Sequence, residues 1–205
     1  MNVRERLLLP VGSSGREFVS RAGGKLDAAL TTLKITVTSA VTADLGSNVG
    51  GFVDCLLQWG AARVYALDTG YGVLAWKLRK DPRVCVMERT NALFAALPEP
   101  VDIITIDAGW TRQEKILPAA AKLLRRKAGG RGGAGAIISL LKPQYESELA
   151  RVQRGVLTSE QSLAVLQENV DRIEAMGFII RGLVESPIRG QGGNREFLLL
   201  LEAPV

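Results

Sequence analysis

The chain has 205 residues, with 26 lysines and arginines against 21 aspartates and glutamates, and it contains no histidine. Its length fits one domain, and its 47% hydrophobic and 23% charged residues exclude a largely disordered chain. The lack of histidine excludes Ser-His-Asp and Cys-His hydrolases and HExxH metalloproteases, and no metal site is predicted. The net charge of +5 is compatible with a nucleic-acid partner, although many other proteins carry as much.

No segment of the sequence has the length and apolar character of a membrane span. The longest apolar stretches, such as residues 197–201, have the length of a strand. The apolar run at residues 7–9 is too short for a secretory signal. Cys55 and Cys85 form no CxxC pair and are predicted to be buried, reduced thiols. We therefore expect a cytoplasmic protein with no membrane partner.

Residues 1–20 show no clear periodicity and contain several turn-forming residues, so a loose extension is predicted there. After it, helical spacing of apolar residues alternates with short apolar runs that end in a polar residue or a glycine. The predicted strands are residues 41–45, 63–67, 83–87, 101–106, 134–141, 178–184 and 195–201. The predicted helices are residues 23–33, 50–59, 73–79, 113–127 and 160–176. Thr158 and Gln161 have the spacing of a capping box for the last helix.

This alternation predicts an α/β fold with a mostly parallel sheet and helices on both faces. Residues 185–193 are too few for a parallel crossover, so the last two of the seven predicted strands are expected to form an antiparallel hairpin. The basic, glycine-rich stretch 125–133 is interpreted as a helix exit with cations at the negative end of the helix dipole. Contact with RNA is the alternative for this stretch.

Ligands of open parallel sheets bind beyond the carboxyl ends of the strands, so the residues that end the strands are the candidates for chemistry. They are Gly46, Asp68, Glu88, Asp107 and Lys142. Asp107 follows an apolar run, where a buried carboxylate needs a partner, and a helix cap is the alternative role for it. Lys142 also ends an apolar run and is held extended by Pro143; a solvated side chain is the alternative.

A glycine-rich turn at residues 44–52 leads one predicted strand directly into a helix. Its G-x-x-x-G-G spacing differs from the G-x-G-x-x-G of dinucleotide sites. Asp68 ends the next strand, about twenty residues after Gly46. In dinucleotide-binding folds, a carboxylate at about this spacing from the glycine turn accepts hydrogen bonds from ribose hydroxyls. Together they predict a site for a nucleoside-bearing cofactor. Asp44 would contact the amino-acid part of that cofactor or accept hydrogen bonds from loop amides, and Glu88 would border an adenine or pair with Arg89.

Several short motifs occur in a characteristic order along the chain. They are Val19-Ser20-Arg21-Ala22-Gly23-Gly24-Lys25-Leu26, the turn at 44–52, Thr69-Gly70-Tyr71-Gly72, Glu88-Arg89-Thr90-Asn91, Thr105-Ile106-Asp107, Leu141-Lys142-Pro143-Gln144 and Gly193-Asn194-Arg195-Glu196-Phe197. With them the chain resembles the TlyA, or haemolysin A, family of ribosomal RNA 2′-O-methyltransferases, within the wider FtsJ-like group. The resemblance covers about residues 18 to 202 and implies a class I S-adenosylmethionine-dependent, Rossmann-like fold with RNA as partner.

The resemblance also implies the residues of the site. The catalytic tetrad would be Lys25, Asp107, Lys142 and Glu196. The implied cofactor is S-adenosyl-L-methionine, and its contacts would be Asp44, Gly46, Ser47, Gly50, Gly51, Phe52, Asp68, Glu88, Arg89 and Asp107. A neutral Lys142 would accept the proton of a ribose 2′-hydroxyl, whereas a charged Lys142 would stabilise the developing alkoxide.

From the extent of the resemblance, residues 1–17 are expected to form an N-terminal extension and residues 18–205 the methyltransferase domain. Members of the family usually begin with an S4-type RNA-binding domain, which we do not expect here, so a helper protein is an alternative source of RNA affinity. Ala108-Gly109-Trp110 and residues 151–155 also depart from the family pattern. These departures motivate a second hypothesis, a non-catalytic RNA-binding or ribosome-assembly factor. Retention of the tetrad favours the enzyme.

Overall fold

A computed structural model describes residues 2–12, 14–109, 111–126, 135–147 and 155–204. Most of the predicted basic loop, Trp110 and residues 151–154 therefore lie outside the described residues. The helices are α1 Val3–Arg6, α2 Ala22–Thr32, α3 Gly51–Gln58, α4 Trp76–Arg79, α5 Gln113–Ala121, α6 Pro143–Glu146 and α7 Ser159–Ala175. The strands are β1 Leu7–Leu8, β2 Val41–Leu45, β3 Arg63–Leu67, β4 Val84–Met87, β5 Ile103–Ile106, β6 Ala136–Leu141, β7 Ile179–Glu185 and β8 Phe197–Glu202.

The strands form one mixed sheet in the order β1-β7-β8-β6-β5-β2-β3-β4. As expected, β8 is antiparallel to its neighbours β6 and β7, while the other pairs are parallel. Within the described residues the sheet has eight strands and not the expected seven, because Leu7–Leu8 adds a parallel edge strand beside Leu183 and Val184 of β7. The described part of the N-terminal segment is therefore partly ordered into the sheet and is not simply a loose extension.

Two hydrophobic clusters cover the two faces of the sheet. On one face α5 and α7 bury Ile116, Leu117, Val170 and Ile173, among others. On the other face α2 and α3 bury side chains that include Leu26, Leu30, Phe52 and Leu56. The predicted three-layer arrangement is thus confirmed, and the inward faces of the helices follow from their apolar spacing. Within the described residues, no helix combines the length and apolar character needed to cross a membrane.

Several element boundaries differ from the predicted ones. The predicted helix at 113–127 already ends at Ala121, because the chain then runs alongside Val101. Val101 N donates to Leu123 O at 3.0 Å, and Arg125 N donates to Val101 O at 2.8 Å. The helix predicted at 73–79 is only α4, one turn long. The capping box at the start of α7 is confirmed.

The register of the strands places their carboxyl ends side by side. Leu45 at the end of β2 pairs with Leu67 of β3 and with Ile106 of β5. On the other side, Leu141 of β6 pairs with Phe197, the first residue of the antiparallel β8. The residue after each parallel strand and the residue before β8 therefore meet at one edge of the sheet, where the candidate site lies.

Candidate active site

A cavity of about 710 Å³ opens at this edge of the sheet. Most of the residues that the sequence and the resemblance suggested line it. They are Lys25, Asp44, Gly46, Ser47, Gly51, Phe52, Asp68, Asp107 and Lys142. The lining comes from α2, from the turn between β2 and α3, and from the ends of β3, β5 and β6. This volume is within the range of small-molecule and cofactor sites.

The glycine turn after β2 brings backbone, without side chains, to the cavity wall. Gly46 has φ +89°, and a Cβ there would lie 2.8 Å from the carbonyl oxygen of Asp107. The amides of Gly46 and Ser47 both donate to Leu67 O at 2.9 Å, which ties the turn to the end of β3. A side chain at position 46 would therefore separate two strand ends that meet at the cavity.

Asp68 is fixed by the backbone of two loops. Its Oδ2 accepts from Asn48 N at 2.8 Å, and its Oδ1 accepts from Gly70 N at 2.7 Å. Each oxygen of a carboxylate has two acceptor positions, so both can still accept from a ligand. The end of β3 thus presents a rigid carboxylate to the cavity, in the place expected for a contact to ribose hydroxyls.

Asp44 is buried, with 1% of its surface exposed. Its Oδ1 accepts from the hydroxyl of Thr105 at 2.6 Å, so its observed partner is a side chain and not the loop amides of the alternative interpretation. Its Oδ2 has no hydrogen-bond partner within the described part of the chain. Burial raises the pKa of Asp44 to about 8, and the carboxylates of Asp107 and Asp68 contribute in the same direction. A cationic ligand group would satisfy the unpaired oxygen and favour the charged carboxylate.

The four implied catalytic residues form two lysine–carboxylate pairs. Lys142 Nζ lies 2.6 Å from Asp107 Oδ1, with 16% and 18% of the two side chains exposed. Lys25 donates to Glu196 in a more deeply buried pair, with 7% and 3% exposed. Lys142 is extended (φ −115°, ψ 98°) before Pro143, as expected. Glu196 lies behind Lys25 and, although described, is not among the residues that line the cavity.

Three of the expected cofactor contacts, all within the described residues, lie outside the cavity lining: Gly50, Glu88 and Arg89. The suggested pairing of Glu88 with Arg89 is wrong, because Glu88 forms an ion pair with Arg79 and accepts from Gly72 N at 2.9 Å. Although burial opposes it, these two hydrogen bonds lower the pKa of Glu88. Arg89 instead lies over the ring of Tyr71, at 4.3 Å from its centroid.

Other residues line the cavity without having been proposed as ligand contacts. They are Ser20, Arg21, Ala22, Asn48, Val49, Thr69, Gly70, Val73, Thr90, Asn91, Ala92, Ala108, Gly109 and Thr111, with Leu67 and Ile116 behind them. Many of them belong to the short motifs quoted above or directly follow a strand end. Their position after a strand end could have identified them from the sequence, since the loops after neighbouring parallel strands share one crevice.

The sheet with its antiparallel β8 and the cavity at the carboxyl ends of its parallel strands define the fold of the S-adenosylmethionine-dependent methyltransferases. A fibrillarin structure from Aeropyrum pernix with natively bound S-adenosyl-L-methionine superimposes with a TM-score of 0.55. The superposition covers 82% of this chain and 69% of that chain, at 17% identity, and shows the shared fold.

Within this class, the model of the FtsJ-like methyltransferase family matches residues 18–203, so the chain belongs to that family. It is 40% identical over 207 residues to the provisionally named rRNA methyltransferase YqxC of Bacillus subtilis, covering 97% of this chain and 70% of the relative. It is 37% identical over 199 residues to the 16S/23S rRNA (cytidine-2′-O)-methyltransferase TlyA of Mycobacterium tuberculosis, covering 95% and 72%. The structure of a provisionally named hemolysin from Lactococcus lactis superimposes with a TM-score of 0.81 at 35% identity, covering 90% and 88%. The resemblance to the TlyA family is confirmed.

Proposed function

We propose that this chain is an S-adenosylmethionine-dependent methyltransferase that methylates a ribose 2′-hydroxyl of ribosomal RNA. The observation that carries the proposal is the lysine–carboxylate pair at the wall of the cavity, Lys142 with Asp107, backed by the buried pair of Lys25 with Glu196. The relatives named as rRNA methyltransferases supply the substrate class. We assign the activity to residues 18–205 and interpret residues 1–17 as an N-terminal extension of that domain. Ribosomal RNA as substrate places the protein in the cytoplasm.

The cavity residues fit S-adenosyl-L-methionine. The unpaired Oδ2 of Asp44 would accept from its ammonium group, and Asp68 would accept from its ribose hydroxyls. Gly46 and Gly51 line the cavity with backbone alone. The bound cofactor supplies an electrophilic methyl group on a sulfonium centre.

Lys142 is placed to handle the proton of the attacking hydroxyl. In its amine form, Nζ would accept the proton of the 2′-hydroxyl, and Asp107 at 2.6 Å would stabilise the resulting ammonium. In its charged form, Nζ would instead stabilise negative charge on the hydroxyl oxygen. The partial exposure of Lys142 lets an RNA hydroxyl reach it, while alignment of hydroxyl and methyl group supplies further acceleration.

We assign positioning roles to Lys25 and Glu196, the more deeply buried of the two pairs. Both are too buried to meet a ribose from solution directly, but Lys25 also lines the cavity. A buried, fully paired ion pair fixes α2 against the start of β8, which runs beside β6 and its terminal Lys142. We assign Glu196 to orienting Lys25, and Lys25 to shaping the cavity wall that it lines.

A second candidate function is a non-catalytic RNA-binding or ribosome-assembly factor. It is motivated by the departures from the family pattern at Ala108-Gly109-Trp110 and residues 151–155. A factor that only binds RNA has no need of two lysine–carboxylate pairs at a cofactor-sized cavity, which is why the enzyme is favoured.

The two functions are separated by transfer of radiolabelled methyl from S-adenosylmethionine to ribosomal subunits and total RNA, with Lys142→Ala beside the unchanged protein. The proposal requires label in RNA that resists alkali at one dinucleotide and that disappears with the variant. Calorimetry of S-adenosylmethionine binding to both proteins is the control, because Lys142→Ala should still bind the cofactor. Cofactor binding without label on any RNA would overturn the proposed reaction and favour the binding factor. Repeating the assay in cell extract tests whether a helper protein is needed.

A further inference from the structure

Three exposed aromatic side chains lie close together in sequence, between β3 and β5. Within the described part of the chain, Tyr71, Trp76 and Phe94 are the aromatic residues classed as exposed, with 69%, 69% and 84% of their surface accessible. The other described aromatic residues are buried or half-buried. Exposed aromatic rings that lie next to cations are a common feature of surfaces that bind single-stranded nucleic acid.

Two of these rings carry a cation over their faces. Arg89 lies over Tyr71 at 4.3 Å, and Lys80 lies over Trp76 at 4.9 Å from the ring centroid. The neighbouring Arg79 is paired with Glu88. Glu88 also accepts from Gly72 N at 2.9 Å, which ties the loop that carries Tyr71 to the helix that carries Trp76. We call Tyr71, Trp76, Lys80 and Arg89 together the aromatic–cation surface.

Two members of the aromatic–cation surface, Tyr71 and Arg89, are neighbours in sequence of cavity-lining residues. Tyr71 stands between the cavity-lining residues Gly70 and Val73, and Arg89 directly precedes the cavity-lining Thr90. The aromatic–cation surface belongs to the β3–β4 end of the sheet, whereas Lys142 follows β6. Four strand spacings separate β6 from β4, or about 19 Å, so a ligand that reaches both must extend along the edge of the sheet.

We propose that the aromatic–cation surface binds unpaired bases of the RNA substrate, on the far side of the cofactor cavity from Lys142. Single-stranded RNA is recognised by stacking of bases on aromatic rings and arginine planes, together with cations that follow the phosphates. A duplex presents its bases already stacked and cannot offer them to Tyr71 and Trp76. The inference rests on the proposed function in taking RNA as the substrate, and it adds that the target nucleotide lies in an unpaired segment several nucleotides long.

The test is fluorescence anisotropy of labelled RNA with the full chain. The probes are an oligouridine of roughly 12 nucleotides and an RNA duplex of the same length. The variants are Tyr71→Ala/Trp76→Ala and the ring-preserving Tyr71→Phe/Trp76→Phe. Ile179→Ala, an exposed apolar position on β7, is the surface control. Loss of two stacking rings should weaken binding to the single strand at least tenfold or so, while the Phe pair and Ile179→Ala stay within about twofold of the unchanged protein.

Equal affinity of the Ala pair and the unchanged protein for oligouridine would overturn the inference, and would leave the surface to a protein partner. Tighter binding of the duplex, with the same loss in the Ala pair, would also overturn it. Methyl transfer is measured separately on ribosomal subunits. Ring-dependent RNA binding without methyl transfer would remove the proposed reaction but keep the surface. Methyl transfer together with RNA binding that does not depend on the rings would keep the proposed reaction and overturn the proposed role of the aromatic–cation surface.

Discussion

Nζ of Lys142 lies 2.6 Å from Asp107 Oδ1, and this contact joins the ends of the neighbouring strands β6 and β5. The pair forms part of the cavity wall and is partly exposed, whereas the Lys25–Glu196 pair is buried. From this difference in exposure we infer different roles: the Lys142–Asp107 pair would meet the substrate, and the Lys25–Glu196 pair would hold the framework around it.

Lys142→Met and Asp107→Asn should each reduce methyl transfer by about 10²-fold or more, and the double variant should be little worse than the more damaging single one. The reason is that the two groups act as a unit, so removing either removes most of their joint effect. Single-turnover rates at saturating cofactor are the measurement. Strictly multiplicative losses in the double variant would show that the pair does not act together.

Lys25→Met should destabilise the protein by about 3–5 kcal/mol, because it leaves the buried carboxylate of Glu196 without its partner. Lys25→Met/Glu196→Leu removes both charges and should recover much of that loss in urea unfolding, although packing around the new side chains sets how much. We expect methyl transfer to remain low in the double variant despite the recovered stability. Recovery of both stability and activity would show that the pair serves folding alone.

The sequence predicts the centre of the fold better than its margins. β2 and β3 were predicted to the residue, since buried parallel strands appear as short apolar runs that end in a glycine or a carboxylate. The two-residue strand β1 was missed, because Leu7–Leu8 is too short to show a period and exists through its pairing with β7. The early end of α5 was missed for the same reason, because it results from pairing of the chain with Val101, which lies elsewhere in the sequence.

The candidate site could be predicted where it follows from strand ends. Asp68, Asp107 and Lys142 were placed at one edge by topology alone, and the structure brings them to one cavity. The partner of Glu88 could not be predicted in this way. Arg79 reaches Glu88 from the separate turn α4, and the neighbour Arg89 has φ +53°, which turns the chain after the strand. Local sequence contains no signal for such a contact.

Asp44 should make stability depend on pH. Its pKa is about 8 in the folded protein against 3.8 as the ordinary value, so between these pH values the folded state keeps a proton that the unfolded state releases. Its contribution to stability is therefore largest below pH 4, falls as the pH rises, and levels off above pH 8. Asp44→Asn abolishes this titration. The variant should gain stability relative to the unchanged protein, by several kcal/mol, between pH 5 and pH 9.

Urea unfolding at pH 5, 7 and 9, in the absence of S-adenosylmethionine, measures this difference. Asp102→Asn is the matched control, because Asp102 directly precedes β5 and is partly exposed. The effect that is specific to Asp44 is the difference between the pH profiles of the two variants. A constant difference between Asp44→Asn and the unchanged protein would mean that Asp44 stays ionised across the range.

Gly190→Ala should lower both stability and methyl transfer. The backbone there is extended (φ −73°, ψ −172°) and accepts alanine, but a Cβ would collide with the carboxylate of Glu196, which is held by Lys25. The substitution must push Glu196 away from Lys25 or displace the loop between β7 and β8, at a cost of about 1–3 kcal/mol.

Thermal unfolding and single-turnover methyl transfer measure the effect of Gly190→Ala. Gly24→Ala is the matched control, because its Cβ would meet only the flexible end of Ile188 at 3.2 Å and alanine is favoured inside α2. Equal behaviour of the two variants would show that the collision at Glu196 is relieved without disturbing its pair with Lys25.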